Sequence, residues 1–191
     1  MRIFRRKKHE LWKGLVAGAT GGLVASWVMN QFQALWSRKT HGIERSHGAQ
    51  SLQQGSPQHG VARALRERGI DRESDTATVR MARLVSEDVF GHRLAEGEKE
   101  AAGAVAHYAM GATSGAIYGA AAEVLPAAAA GAGLPFGAAV WLVADELIVP
   151  ALGLSKPASA YPLTTHAYAF ASHLVYGLTT EIVRRAARRA L

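Results

Sequence analysis

The ionisable residues able to do chemistry sit in apolar company. Asp145, Glu146, His107, His166 and His173 all lie in stretches without lysine or arginine, and His166 and His173 are seven residues apart, two turns along one side of a helix. Imidazole and carboxylate suit zinc, manganese or iron and also carry protons, so these five form a candidate intramembrane polar site whose metal, if any, is unknown. Glu123 and Glu181 form a second set, candidate carboxylates at the cytoplasmic ends of two helices. Each stands five residues after a tyrosine, Tyr118 or Tyr176, in a Tyr-Gly-x-x-x-Glu pattern. A carboxylate near a helix C-terminus opposes the helix dipole and needs a specific partner. Arg184 and Arg185 follow Glu181 by three and four residues, within reach on one helix face. Glu123 has no such neighbour, so its partner comes from another helix, with Lys13 and Arg184 as candidates, or it stays protonated through desolvation. Of these two glutamates, Glu123 is expected to be the more sensitive to substitution.

No enzyme constellation accompanies these groups. There is no H-E-x-x-H, no nucleophile elbow and no phosphate-binding loop, and without cysteine there is no thiol chemistry or disulfide framework. The sequence reads as a non-enzyme with no implied cofactor.

The elements that must position these residues are legible in the charge distribution. Of the 22 Lys and Arg, six fall in residues 1–13, eleven in 38–99, one at Lys156 and four in 184–189. Between them lie runs long enough to span about 30 Å of hydrocarbon as helices. The expectation is an all-α polytopic membrane protein with four transmembrane helices at 14–36, 101–125, 133–152 and 163–183. A basic tail, 1–13, precedes them and another, 184–191, follows. The first run is 24 uncharged residues, too long for the core of a cleaved leader. Trp12 and Trp36 bracket it as interfacial anchors. The basic excess beside the first and last helices puts both termini in the cytoplasm.

Residues 37–100 then form an extracytoplasmic segment. Its start, 41–60, is rich in Gly, Ser, Gln and His and reads as irregular, with a short helix over 61–68 before Gly69. From Asp75, read as the N-cap, residues 75–90 space Val79, Met81, Ala82, Val85 and Val89 between Arg80, Arg83, Glu87 and Asp88. This is an amphipathic helix that either packs on its own bundle, the favoured alternative, or lies on a membrane surface or partner. Its mixed charge argues against nucleic acid.

The chain also repeats. Gly14, Leu15, Gly18, Ala19, Leu23, Val24 and Ala25 align without a gap on Gly133, Leu134, Gly137, Ala138, Leu142, Val143 and Ala144. Tyr118, Gly119, Glu123, Val124 and Leu125 align on Tyr176, Gly177, Glu181, Ile182 and Val183. The four helices are thus expected as two repeated helical hairpins. Gly14, Gly18 and Gly22, and likewise Gly111, Gly115 and Gly119, recur every four residues and offer grooves for close helix packing, within one chain or with a second.

Several of these residues carry a resemblance. His107-Tyr108-Ala109-Met110-Gly111 leading to Tyr118-Gly119 and Glu123, then Asp145-Glu146 with Val149-Pro150-Ala151-Leu152-Gly153-Leu154, then Ser172-His173-Leu174-Val175-Tyr176-Gly177 with Glu181 and Arg184-Arg185, resemble the YagU family of bacterial inner-membrane proteins. The resemblance covers the four helices and implies a small multi-pass protein of the inner (cell) membrane. It supplies no catalytic residues. Two functions are therefore expected in competition. In the first, the chain is a structural or regulatory membrane component whose partners are the lipid bilayer and a second copy or another membrane protein. In the second, protons, an ion or a small solute permeate along Asp145, Glu146 and His173.

Overall fold

The computed structural model describes residues 2–40 and 56–191. The Gly/Ser/Gln/His-rich stretch therefore lies outside the described residues as far as residue 55. What is described is all-α: helices α1 (Arg2–Thr40), α2 (Gly60–Glu67), α3 (Ala77–Phe90), α4 (Lys99–Val124), α5 (Leu134–Val140), α6 (Val149–Ala151) and α7 (Leu163–Ala190). A π-helical stretch, Trp141–Ile148, joins α5 to α6, and short 3-10 turns occupy Glu96–Glu98, Pro126–Gly133 and Ala158–Ala160. The basic residues from Arg2 to Lys13 belong to α1, so the helix begins well before position 14.

Local chemistry sets the boundaries. Thr76, in extended conformation, caps α3 by accepting the Val79 N–H at 3.3 Å. Asp75, the expected cap, is instead buried and paired with cations. Gly91 ends α3 in the left-handed region, φ 64°, where its own N–H reaches the Glu87 carbonyl. Between α4 and α5 the chain reverses after Pro126 through three successive positive-φ residues, Gly131, Ala132 and Gly133.

By length and composition, one helical stretch among the described residues, Pro126–Ala151, is apolar enough to cross a membrane, where four were expected. The other three dilute their aliphatic content. Gly14, Gly18, Gly21, Gly22, Ser26 and Asn30 do so in α1, His107, Ser114 and four glycines in α4, and Thr, His and Ser residues in α7.

Two compact units are distinguished: Met1–Phe32, Tyr108–Val140 and Phe170–Leu191 form one, and Gln33–His107 and Trp141–Ala169 the other. The first is built on glycine. A Cβ on Gly14, Gly18 or Gly22 of α1 would collide with the carbonyl oxygen of Gly119, Gly115 or Gly111 of α4, so these backbones run in direct contact. Gly133 and Gly137 meet the Gly177 and His173 carbonyls of α7 in the same way. Ala25, Met29 and Tyr176, with Phe136 and Val140, fill the space between.

In the second unit α2 is tied down by backbone bonds from Val61 and Ala62 to the Leu152 and Gly153 carbonyls, at 2.8 and 2.9 Å. α3 packs Ala77 and Met81 against Val149 and Leu154, as the packed alternative for the amphipathic helix requires. The face it buries is nevertheless not the aliphatic one. Arg80 and Arg83 are buried, while Val85, Val89 and Phe90 are exposed, the last by 74%. The reason is a set of acceptors waiting inside. Arg80 Nε donates to Asp71 at 2.7 Å and its other nitrogens to the Leu154 and Arg72 carbonyls, which satisfies the guanidinium without water.

Candidate functional site

In the glycine-built unit, the C-terminal half of α7 gathers a carboxylate–arginine cluster. Glu181, 1% exposed, accepts from Arg184 Nε at 2.6 Å and Arg184 Nη2 at 2.9 Å, a bidentate pair, and from Arg185. The Tyr118 hydroxyl of α4 donates to the same carboxylate at 2.9 Å, and Arg184 lies 5.8 Å from the Tyr118 ring centre. Glu123 is held by Arg188, with Nε at 2.6 Å and Nη2 at 3.2 Å. The expected pairing of Glu181 with its own-helix arginines is present. Glu123 does take a cation from another helix, but it is Arg188, one turn beyond Arg184, while Lys13 reaches the Leu191 carbonyl.

One layer further along, hydroxyls replace charges. Tyr176 donates to the Gly111 carbonyl at 2.7 Å and lies 2.9 Å from Ser114 Oγ. Phe136 stacks on Tyr118 with centroids 4.2 Å apart and tilts against Tyr176 at 5.8 Å, separating the two tyrosines. His173 is buried in this unit, with its ring edge-on to Tyr176. Asn30 of α1 reaches the Tyr108 hydroxyl at 3.4 Å. Sequence reasoning noticed Tyr118 and Tyr176 only as parts of a repeat. Their recurrence two residues from nothing else polar was the available signal that each hydroxyl needs a buried acceptor.

The other unit holds Asp145, Glu146, His107 and His166. Both acids lie in the π-helical stretch, a backbone form that concentrates at functional sites. Asp145 is buried and Glu146 is half-buried. Glu146 Oε1 lies 2.7 Å from His166 Nδ1, and His166 Nε2 lies 3.1 Å from the Ala158 carbonyl. His107 is half-buried on α4. Asp145 and His173 belong to different units. Among the described residues, no group of three or more His, Asp and Glu converges closely enough to hold a metal ion.

Around α3 lies a polar network that the sequence did not suggest. Asp71 pairs with Arg80, and Asp75 takes Arg83 at 3.4 Å and Lys99 at 3.3 Å. Burial pushes the Asp75 carboxyl above the usual carboxylate range, against the pull of Arg83 and of the Arg72 N–H. In the turn before α4, the Ala95 N–H and then His92 hold the Glu98 carboxyl below that range. These contacts tie α3, the 70–75 loop and the first turn of α4 together.

Residues 86–182 match the family described as Protein of unknown function (DUF1440), about half of the chain. The chain belongs to the DUF1440 family. The YagU-like proteins are members of it, in keeping with the residues that carried the resemblance. The matched region of the family runs from the end of α3 to Ile182, and so contains Asp145, Glu146, the three histidines and both Tyr-Gly-x-x-x-Glu motifs, but not Arg184 to Arg189. No curated protein and no solved structure matches the chain.

Proposed function

We propose that the protein is a small multi-pass component of the bacterial inner membrane, structural or regulatory in role, with four spans arranged as two repeated hairpins and both termini in the cytoplasm. One observation carries this reading: the distribution of side chains is inverted relative to a water-soluble bundle. Trp27, Val105, Ile117, Leu125, Leu147 and Ile182 are more than half exposed, while Ser26, Ser172, Thr180 and Glu181 are buried. Lipid as solvent asks for that arrangement, because backbone and polar groups must be satisfied internally and outward aliphatics cost nothing.

The packing supports the repeat. Gly14 packs against Gly119 and the Glu123 side chain, and its sequence equivalent Gly133 packs against Gly177 and the Glu181 side chain. Gly18 meets the backbone at position 115 and its equivalent Gly137 meets it at position 173, so the two hairpins use matching contacts. Saturation of both motif glutamates by arginine supports a scaffold over a reaction centre, since neither carboxylate is left to act as a base. The partners are the bilayer and a second copy or another membrane protein, without nucleic acid.

A second reading, permeation of protons, an ion or a small solute, is favoured by one feature: a buried acid, Asp145, and a carboxylate–histidine pair in a π-helical stretch. Two measurements test the pair of readings. Membranes washed with alkaline carbonate are expected to retain the protein and release it only with detergent; release by carbonate would overturn the membrane assignment. Vesicles reconstituted with the protein are expected to show no added proton flux under an imposed pH gradient, whereas flux abolished by Asp145→Asn would replace the first reading by the second.

A further inference from the structure

His166 is held at both ring nitrogens. Its Nε2 faces the Ala158 carbonyl at 3.1 Å. A carbonyl only accepts, so Nε2 carries a hydrogen. A neutral imidazole has only one, which leaves Nδ1 as a bare lone pair 2.7 Å from Glu146 Oε1. An ionised carboxylate is also acceptor-only. Two acceptors do not rest at hydrogen-bond distance, so this contact requires one proton more than neutral histidine plus carboxylate supplies.

We infer that Glu146 and His166 form a proton-binding site that holds one proton between the π-helical stretch and the first turn of α7. The proton resides on Nδ1 as an imidazolium–carboxylate pair or on Glu146 as a carboxylic acid facing neutral imidazole; in both cases the pair is neutral overall. Releasing it to water leaves neutral His166, ionised Glu146 and a charge of minus one. No other bond forms or breaks, but the hydrogen bond between the two elements is lost.

The surroundings favour the occupied state. The two side chains are 19% and 11% exposed, so bulk water does not screen a bare negative charge there. The cation in the adjoining loop, Lys156, is engaged by Glu73, and the Tyr161 hydroxyl accepts the Lys156 N–H, so neither neutralises Glu146 instead. Further along α7 the Tyr168 hydroxyl is committed to the Gln33 carbonyl. The inference needs neither the four-span topology nor transport, since it stands on the donor–acceptor inventory of one side-chain pair.

The test uses the full chain in detergent micelles, labelled with nitrogen-15 histidine, with the His166 signals assigned by their loss in His166→Gln. A free histidine, pKa about 6.5, is about nine-tenths neutral at about pH 7.5. Expected instead is either a His166 ring that is predominantly doubly protonated at that pH, or a neutral ring with an infrared carboxylic-acid band that Glu146→Gln removes. In Glu146→Gln the amide donates to Nδ1, so His166 becomes neutral at that pH and the bond persists without the extra proton. A neutral His166 beside an ionised Glu146 in the wild-type protein at about pH 7.5 would overturn the inference, and needs no variant to fold. Carbonate release or absence of proton flux, which bear on the proposed function, would leave this result standing.

Discussion

Glu181 is the carboxylate whose loss should cost most, because its removal strands charges that have nowhere to go. At 1% exposed, it neutralises Arg184, itself buried, and takes the Tyr118 hydroxyl. Glu181→Ala is expected to destabilise by about 3–5 kcal/mol, the cost of breaking a buried ion pair. The Glu123 and Arg188 side chains are 13% and 27% exposed, so Glu123→Ala strands a less buried charge and should cost less, about 1–3 kcal/mol. Thermal unfolding of the two variants in the same detergent checks the ranking, which reverses the one expected from sequence. The pairing of Glu181 was legible because Arg184 and Arg185 fall on its own helix face. That of Glu123 was not, because Arg188 lies 65 residues away and only the packing of α4 on α7 selects it. A similar logic governs Arg80, which is fully buried with Asp71. Arg80→Met alone should cost about 3–5 kcal/mol, because Asp71 keeps only Ser56 and the more distant Arg66 and the Leu154 and Arg72 carbonyls lose their donor, and Asp71→Leu added to it should recover only part of that loss.

At the scale of elements, close backbone contact makes glycine substitutions diagnostic. In a free helix Gly→Ala gains up to about 1 kcal/mol of propensity. At Gly18 or Gly137 the added methyl meets a carbonyl oxygen of the neighbouring helix, so Gly18→Ala and Gly137→Ala should instead lose about 1–3 kcal/mol. Gly97, with open space around it, is the control and should change by no more than about 0.5 kcal/mol on mutation to Ala. The four-residue glycine spacing showed these grooves in advance, but not which helix fills them. α3 shows where periodicity misleads. The spacing of its aliphatics was correct, yet the inward face was decided by Asp71, Asp75 and the Arg72 carbonyl in the loop just before the helix and by the distant Leu154 carbonyl, acceptors that hydrophobic periodicity does not record. The turn entering α4 gives a pH prediction. Glu98 has a folded-state carboxyl held below its unfolded value, first by the Ala95 N–H and then by His92. Its contribution is therefore present above the unfolded pKa, about 4.3, and is lost as pH falls through the lowered folded value. The unfolding midpoint of Glu98→Gln should lie below wild type by a constant amount near neutrality and converge on it in strong acid.

For the whole molecule, the all-α class followed from the long uncharged runs between the basic clusters, whereas the number of spans rests on how little transfer energy Ala and Gly provide. Three of the four expected stretches spend their positions on glycine and hydroxyl residues and fall short of the apolar content of a span, so the proposed four-span arrangement is supported by the outward exposure of their remaining aliphatics and not by hydropathy. Orientation is a separate question, and the proposed one rests on charge. Ten Lys and Arg flank the first and last expected spans, six in residues 1–13 and four in 184–189, against about half that number near the helix ends of the other side. Acidic neighbours weigh little in this rule, so the pairing of Arg184 and Arg188 with glutamates does not reduce the bias. A fluorescent reporter that folds only in the cytoplasm should therefore light at the C-terminus, and a phosphatase that folds only after export should be active when inserted at Ser56. Moving the excess should move the chain: replacing Arg185 and Arg189, both exposed at the surface, with Gln while adding four Lys around Lys156 should produce a detectable fraction of phosphatase activity at the C-terminus. A phosphatase signal at the C-terminus of the unaltered protein, or a cytoplasmic signal at Ser56, would mean that the basic residues serve another purpose and that the assigned orientation is inverted.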